Sequence, residues 1–97
     1  MSRPVQISVL GAGSWGTTIA SIASANASTV IWSRRGEIVE QINREHRNGA
    51  YLSDLPLNPA LRSTASIEEA AEHCDVLVVG VPSHSFRDTL RAVSRWI

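Results

Sequence analysis

Ninety-seven residues with nine basic and nine acidic side chains make an uncharged chain, sized for one domain and one core. That balance argues against a duplex-nucleic-acid or membrane-surface binder, and the single cysteine, Cys74, excludes an internal disulfide framework and a multi-cysteine zinc site. The longest aliphatic run, Val76-Leu77-Val78-Val79, falls far short of the roughly 20 residues that span a bilayer, and no signal peptide precedes the first strand-like segment, so a soluble cytoplasmic domain is expected.

Residues 5–10, Val-Gln-Ile-Ser-Val-Leu, are rich in β-branched side chains and end at Gly11, which predicts a strand. A small-residue helix follows over about residues 14–25, with Ile19, Ile22 and Ala23 on its apolar stripe; residues 26–28 break it, and 29–32 read as a second strand. Residues 36 to about 46 predict a helix with Ile38, Val39 and Ile42 on one face. Asn48-Gly49, Pro56 and Asn58-Pro59 make residues 47–63 a loop with turns, with a short strand expected near 62–65. Ser66 and Glu69 match a capping box opening a short helix to about His73. Residues 75–80 form a continuous apolar run of the kind found in strands sheltered on both faces, stopped by Pro82. Ser83 is then expected to cap a last helix whose core stripe is Phe86, Leu90 and Val93, with Trp96 beyond it left exposed. Strand and helix alternate throughout, which predicts an α/β fold. Right-handed crossovers reduce the choices to a doubly wound parallel sheet of about four strands, incomplete, with helices on both faces.

Gly11-Ala12-Gly13-Ser14-Trp15-Gly16 fits G-x-G-x-x-G between a strand and a helix. In such a turn Gly11 permits the tight bend, Gly13 lets a pyrophosphate approach the backbone, and Gly16 lets helix and strand pack closely. The free N–H groups at the helix start then face the phosphates. Ala12 to Gly16 also nearly matches a G-x-S-x-G nucleophile elbow, with Ser14 as nucleophile and His46, His73 or His84 as partner, but the first strand is the wrong place for it. At the end of the second strand an NAD site carries an acid for the ribose hydroxyls. Here Trp32-Ser33-Arg34-Arg35 offers a hydroxyl and two guanidinium groups, which suit a 2′-phosphate, so NADP(H) is expected in preference to NAD(H). The scattered histidines and lone cysteine predict no metal site, and Cys74 is expected as a small core residue.

The glycine loop with Ser14, Trp15 and Thr17, the Ile31-Trp32-Ser33-Arg34-Arg35 strand end, the Tyr51-Leu52 and Leu55-Pro56 pairs and Val81-Pro82-Ser83 together resemble NAD(P)-dependent glycerol-3-phosphate dehydrogenase. The resemblance implies a Rossmann-type cofactor domain and reversible reduction of dihydroxyacetone phosphate to sn-glycerol 3-phosphate for phospholipid synthesis. It implies that Ser14 and Trp15 line the pyrophosphate and nicotinamide side, that Arg34 and Arg35 face the adenosine ribose, that Tyr51 approaches from the loop, and that Pro82-Ser83 shape the pocket. The family pattern continues into a lysine-bearing segment and a helical substrate domain with the catalytic lysine. This sequence has no lysine, so it is read as a truncated N-terminal part, residues 1–97, with no catalytic residue of its own. Ser53, and Asn26-Ala27 after the first helix, depart from the family's usual proline or glycine. A stand-alone NADP(H)-binding regulatory module is the alternative. In strand order 3-2-1-4 the fourth strand would have a bare edge, which predicts homodimerisation or other self-association through it.

Overall fold

A computed structural model describes residues 5–52 and 55–96; the residues ahead of Val5, Ser53, Asp54 and Ile97 lie outside that range. The elements run β1 (Gln6–Leu10), α1 (Ser14–Ala23), β2 (Ser28–Trp32), α2 (Gly36–Glu45), β3 (Arg62–Thr64), α3 (Ile67–His73), β4 (Val76–Val79) and α4 (Ser83–Ser94). The strands form one parallel sheet in the order β3-β2-β1-β4. Leu10 of β1 pairs with Trp32 on one side and Val79 on the other, so the carboxyl ends of three strands finish level. That level edge is where the chain reverses its winding, from β1–β2–β3 on one side to β4 on the other, the usual place for a crevice.

Alternation along the strands sorts the core into two layers. Val9 and Ile31 join Ala20 of α1, Ile38 and Ile42 of α2, and the loop residues Leu57 and Leu61 on one face. Leu10 and Trp32 join Ala70 and Ala71 of α3 and Val93 of α4 on the other. Helices therefore cover both faces, as a parallel sheet requires. Each fully buried aliphatic chain in these layers contributes about 1.5–3 kcal/mol. Ser8, at the middle of β1, is fully buried and donates to the Ala70 carbonyl at 2.6 Å, fixing α3 to the sheet.

Several local expectations are corrected by the packing. Helix α1 stops at Ala23, two residues early, because its last turn tightens: the N–H groups of Ala25 and Asn26 reach back three residues, to Ile22 and Ala23. Its buried face is Gly16, Thr17 and Ala20, not the Ile19–Ile22–Ala23 stripe; Ile22 is 65% exposed. Small residues win that face because α1 lies too close to β1 for large ones. Only half of the expected capping box forms: Ser66 Oγ accepts from the Glu69 N–H at 3.2 Å, but the Ser66 N–H donates to Thr64 Oγ1 at 3.0 Å, and Thr64 in turn donates to the Glu69 carboxylate. Ser83 is not a cap. Pro82 occupies that position, and Ser83 is the first helical residue. Phe86 and Leu90 are exposed and only Val93 of the expected α4 stripe is buried; the helix's other buried position is Thr89. Strand β4 is the sheet edge, so Val76 is exposed and the rest of its apolar run is only half-buried. Cys74 is likewise half-buried, its thiol directed at the Ala71 carbonyl at 3.4 Å. Trp96 is exposed as expected.

At the β1–α1 junction the backbone of α1 lies hard against the glycine turn. A Cβ at Gly16 would overlap the Gly11 carbonyl oxygen, whereas one at Gly36 would meet nothing within 4 Å. Gly16→Ala is therefore expected to lower stability by about 3 kcal/mol, while Gly36→Ala leaves it unchanged or slightly higher; urea unfolding of the two variants measures the contrast.

Candidate functional site

Above the level edge of the sheet lies a cleft of about 560 Å³. Its lining includes nine of the ten residues singled out in the sequence: Gly11, Gly13, Ser14, Trp15, Ser33, Arg34, Arg35, Tyr51 and Pro82. Gly16 is not among them; it lies buried beneath the turn, where it lets helix and strand approach.

The floor is built by the strand ends. Gly11 N–H donates to the Trp32 carbonyl at 2.9 Å, and Gly80 N–H donates to the Leu10 carbonyl at 2.7 Å. Gly11 has φ +108°, a conformation other residues avoid, and a Cβ there would press on the Gly80 carbonyl oxygen and Val81 Cγ1 at 2.9 Å. The protein's own packing thus demands glycine at 11 and at 16. It makes no such demand at 13: a side chain on Gly13 would project into open space. Gly13 is also the N-cap of α1, with no side chain capping the helix and no acid in its first turn. The first N–H groups of this ten-residue helix are left without intrahelical acceptors at the cleft, and the helix dipole makes that end positive.

One wall comes from the end of β2 and the start of α2. Ser33 is buried; its N–H donates to the Thr64 carbonyl at 3.1 Å and its Oγ accepts from the Arg35 N–H at 3.1 Å. This bond turns the chain so that both arginines reach the cleft. Arg34 lies over the Trp32 ring, 5.9 Å from its centroid, a cation–π contact, while the Trp32 indole N–H donates to the Ala65 carbonyl. Arg35 Nε donates to Glu37 Oε1 at 2.8 Å. Glu37 raises the Arg35 pKa above its already high value, and hydrogen bonding to Tyr51 adds to this. Glu37 is held below the ordinary carboxylate range, first by its own backbone N–H and then by Arg35. Both side chains are exposed, so the pair is screened and adds little to stability.

The opposite wall is Trp15 with Gly80, Val81, Pro82, Ser85 and Thr89. Trp15 is 58% exposed and its ring lies over Gly80, where a Cβ would come within 3.1 Å of it. Thr89 is a residue the sequence reading missed: it is fully buried, lines the cleft, and its Oγ1 has no hydrogen-bond partner. Asn48 opens the loop 48–57 that carries part of the family resemblance, but it was not among the expected site residues. Fully buried in the loop after α2, it donates through Nδ2 to the Ala12 carbonyl at 2.7 Å and to Thr17 Oγ1 at 2.9 Å. It latches the loop that carries Tyr51 onto the glycine turn. A helical stripe conceals Thr89, and Asn48 is marked by the Asn-Gly turn and the family-like loop it begins, not by any sign of its bonds to the glycine turn.

The family described as NAD-dependent glycerol-3-phosphate dehydrogenase N-terminus matches residues 6–97. This chain belongs to that family. It is 49% identical over 86 residues to glycerol-3-phosphate dehydrogenase [NAD(P)+] 2 of Sphingopyxis alaskensis, covering 89% of this chain and 26% of that protein. It is 47% identical over 94 residues to the Mycobacterium avium glycerol-3-phosphate dehydrogenase [NAD(P)+], covering 96% of this chain and 28% of that protein. The crystal structure of glycerol-3-phosphate dehydrogenase from Coxiella burnetii superposes with a TM-score of 0.87 at 27% identity, over 97% of this chain and 29% of that one. The chain thus spans about a quarter of the length of the curated relatives it matches, and the family's N-terminal part is the part in hand.

Two of the buried polar side chains at the site, Asn48 and Thr89, carry opposite expectations. Asn48→Ala removes two bonds and is expected to cost about 2 kcal/mol. Thr89→Val removes a hydroxyl that has no partner, so stability stays level or rises by about 1 kcal/mol. Thermal unfolding of both variants, with no dinucleotide added, checks the signs.

Proposed function

We propose that the cleft binds a nicotinamide dinucleotide, NADP(H) in preference to NAD(H), and that the chain is the cofactor-binding part of a cytoplasmic glycerol-3-phosphate dehydrogenase. In the complete enzyme the reaction is reduction of dihydroxyacetone phosphate to sn-glycerol 3-phosphate for phospholipid synthesis. Family membership supports the reaction, and the single observation that carries the cofactor reading is the open backbone at Gly13. The protein itself has no steric need for glycine there, yet the position sits at the uncapped start of α1 in the cleft, which fits close approach by a pyrophosphate. Ser14 and Trp15 would hold the pyrophosphate and nicotinamide side, Arg34 and Arg35 the adenosine ribose, and Tyr51, Pro82 and the hydroxyl of Ser33 would complete the walls. When bound, the dinucleotide supplies the hydride. The residues here bind and orient it; with no lysine in the sequence, the chain by itself is expected to show no turnover.

The preference for NADP(H) rests on chemistry at the β2 end. Arg34 stacks on Trp32 with no carboxylate partner among the described residues, which leaves its N–H groups for a 2′-phosphate. Calorimetric titration with NADPH and NADH is expected to give tighter binding of NADPH. Arg34→Ala is expected to weaken NADPH about ten-fold or more, as befits a charge-assisted hydrogen bond, with little change for NADH. An unchanged ratio would remove Arg34 from the 2′-phosphate.

We further propose that the chain self-associates through β4. This strand is the sheet edge next to β1, Val76 on it is 47% exposed, and its remaining apolar residues are only half-buried. Sedimentation velocity over a range of concentrations is expected to show a dimer, and Val76→Lys to shift it toward monomer. A wild-type chain that stays monomeric would rule the edge out as an interface.

A further inference from the structure

The two adjacent arginines at the end of β2 are not equivalent. Arg34 rests on the Trp32 ring, whereas Arg35 is held by Glu37 through a 2.8 Å bond from Nε, at the first turn of α2. Both arginines line the cleft, and Glu37 does not. A carboxylate therefore sits just outside the cleft, bonded to an arginine that lines it together with Tyr51 of the loop.

We infer that Glu37 sets how strongly this cleft favours a 2′-phosphorylated dinucleotide over its 2′-hydroxyl counterpart, by occupying Arg35. The inference rests on the cleft being the dinucleotide site. A 2′-phosphate carries close to two negative charges and can use Arg35 in only two ways. It must displace Glu37 from the guanidinium, or share it and bear the repulsion of a carboxylate alongside. A ribose hydroxyl is neutral and creates no such conflict, so the Arg35–Glu37 pair persists when NAD(H) binds. Glu37 thus acts against one ligand and leaves the other alone, which is how a site comes to tolerate both cofactors. Glu37 is a specificity-determining residue that touches neither ligand. Because the pair is exposed, its effect is moderate, not an all-or-none switch.

The test is titration of the chain with NADPH and with NADH in four forms: wild type, Glu37→Gln, Arg35→Ala and the double variant. Glu37→Gln keeps the shape of an exposed side chain and leaves the core untouched. NADPH binding is expected to tighten about three- to ten-fold in Glu37→Gln, as for release of a moderately coupled charge pair, with NADH changing less than about two-fold. In the Arg35→Ala background the same substitution is expected to change neither, because the arginine through which it acts is gone. Equal tightening of both ligands, or a full effect without Arg35, would overturn the inference in favour of a general field of one negative charge. Weaker NADH binding in Glu37→Gln would overturn it too, and would place the carboxylate on the ribose hydroxyls. If both dinucleotides bind and Glu37→Gln alters neither, this inference alone fails. If neither binds the wild-type chain, the reading of the cleft fails and takes the inference with it.

Discussion

Everything in this molecule turns on how closely α1 approaches β1. No Cβ fits at Gly16 against the Gly11 carbonyl, and Gly11 adopts φ +108° to make the bend. That contact draws the start of α1 down onto the level ends of β1, β2 and β4. It also selects the buried face of the helix: Gly16, Thr17 and Ala20 face the sheet, and Ile22 is turned outward although hydrophobicity alone would bury it. Steric fit outweighs transfer energy here, because a large side chain in that gap would cost more in strain than its burial contributes. A helix start brought this near to three strand ends leaves its N–H groups at the mouth of a cleft, and the site follows from the packing.

Around that fixed turn the walls are secured by polar bonds more than by apolar contact. Asn48 ties the loop after α2 to the Ala12 carbonyl and to Thr17, while Ser33 holds the β2 end to β3 and to the Arg35 backbone. The loop is anchored at its far end by Leu57 and Leu61, which are core residues without belonging to any helix or strand. The described part of this loop thus walls the cleft without a helix or strand, and Tyr51 is placed beside Arg35 by the bonds of Asn48. Buried polar groups with good partners specify one arrangement where apolar side chains would tolerate several.

The opposite side of the sheet is less finished. β4, α4 and the residues just after α4 carry apolar side chains that the described structure leaves exposed: Val76, Phe86, Leu90 and Trp96. The aliphatic run of β4 reads as a strand sheltered on both faces, yet β4 is an edge. Its composition describes a more enclosed position than the one it holds here.

The sequence by itself determined the alternation of elements and pointed to nine of the residues lining the cleft, because periodicity and the glycine spacing are local properties of the chain; the strand order 3-2-1-4 followed from the doubly wound class. Gly11, Gly13, Ser14, Trp15, Ser33, Arg34 and Arg35 were legible since each lies within a few residues of a strand end, and strand ends announce themselves. Tyr51 and Pro82 were legible through family likeness. Only the tertiary structure decided the rest. Asn48 and Thr89 gain their importance from neighbours 31 to 36 residues away for the first, and from the cleft wall for the second. The exposure of Phe86 and Leu90, the half-formed box at Ser66 and the capture of Arg35 by Glu37 also depend on which groups compete in space. Local pattern fixes what a segment can form; the competition among distant partners fixes which bonds it keeps.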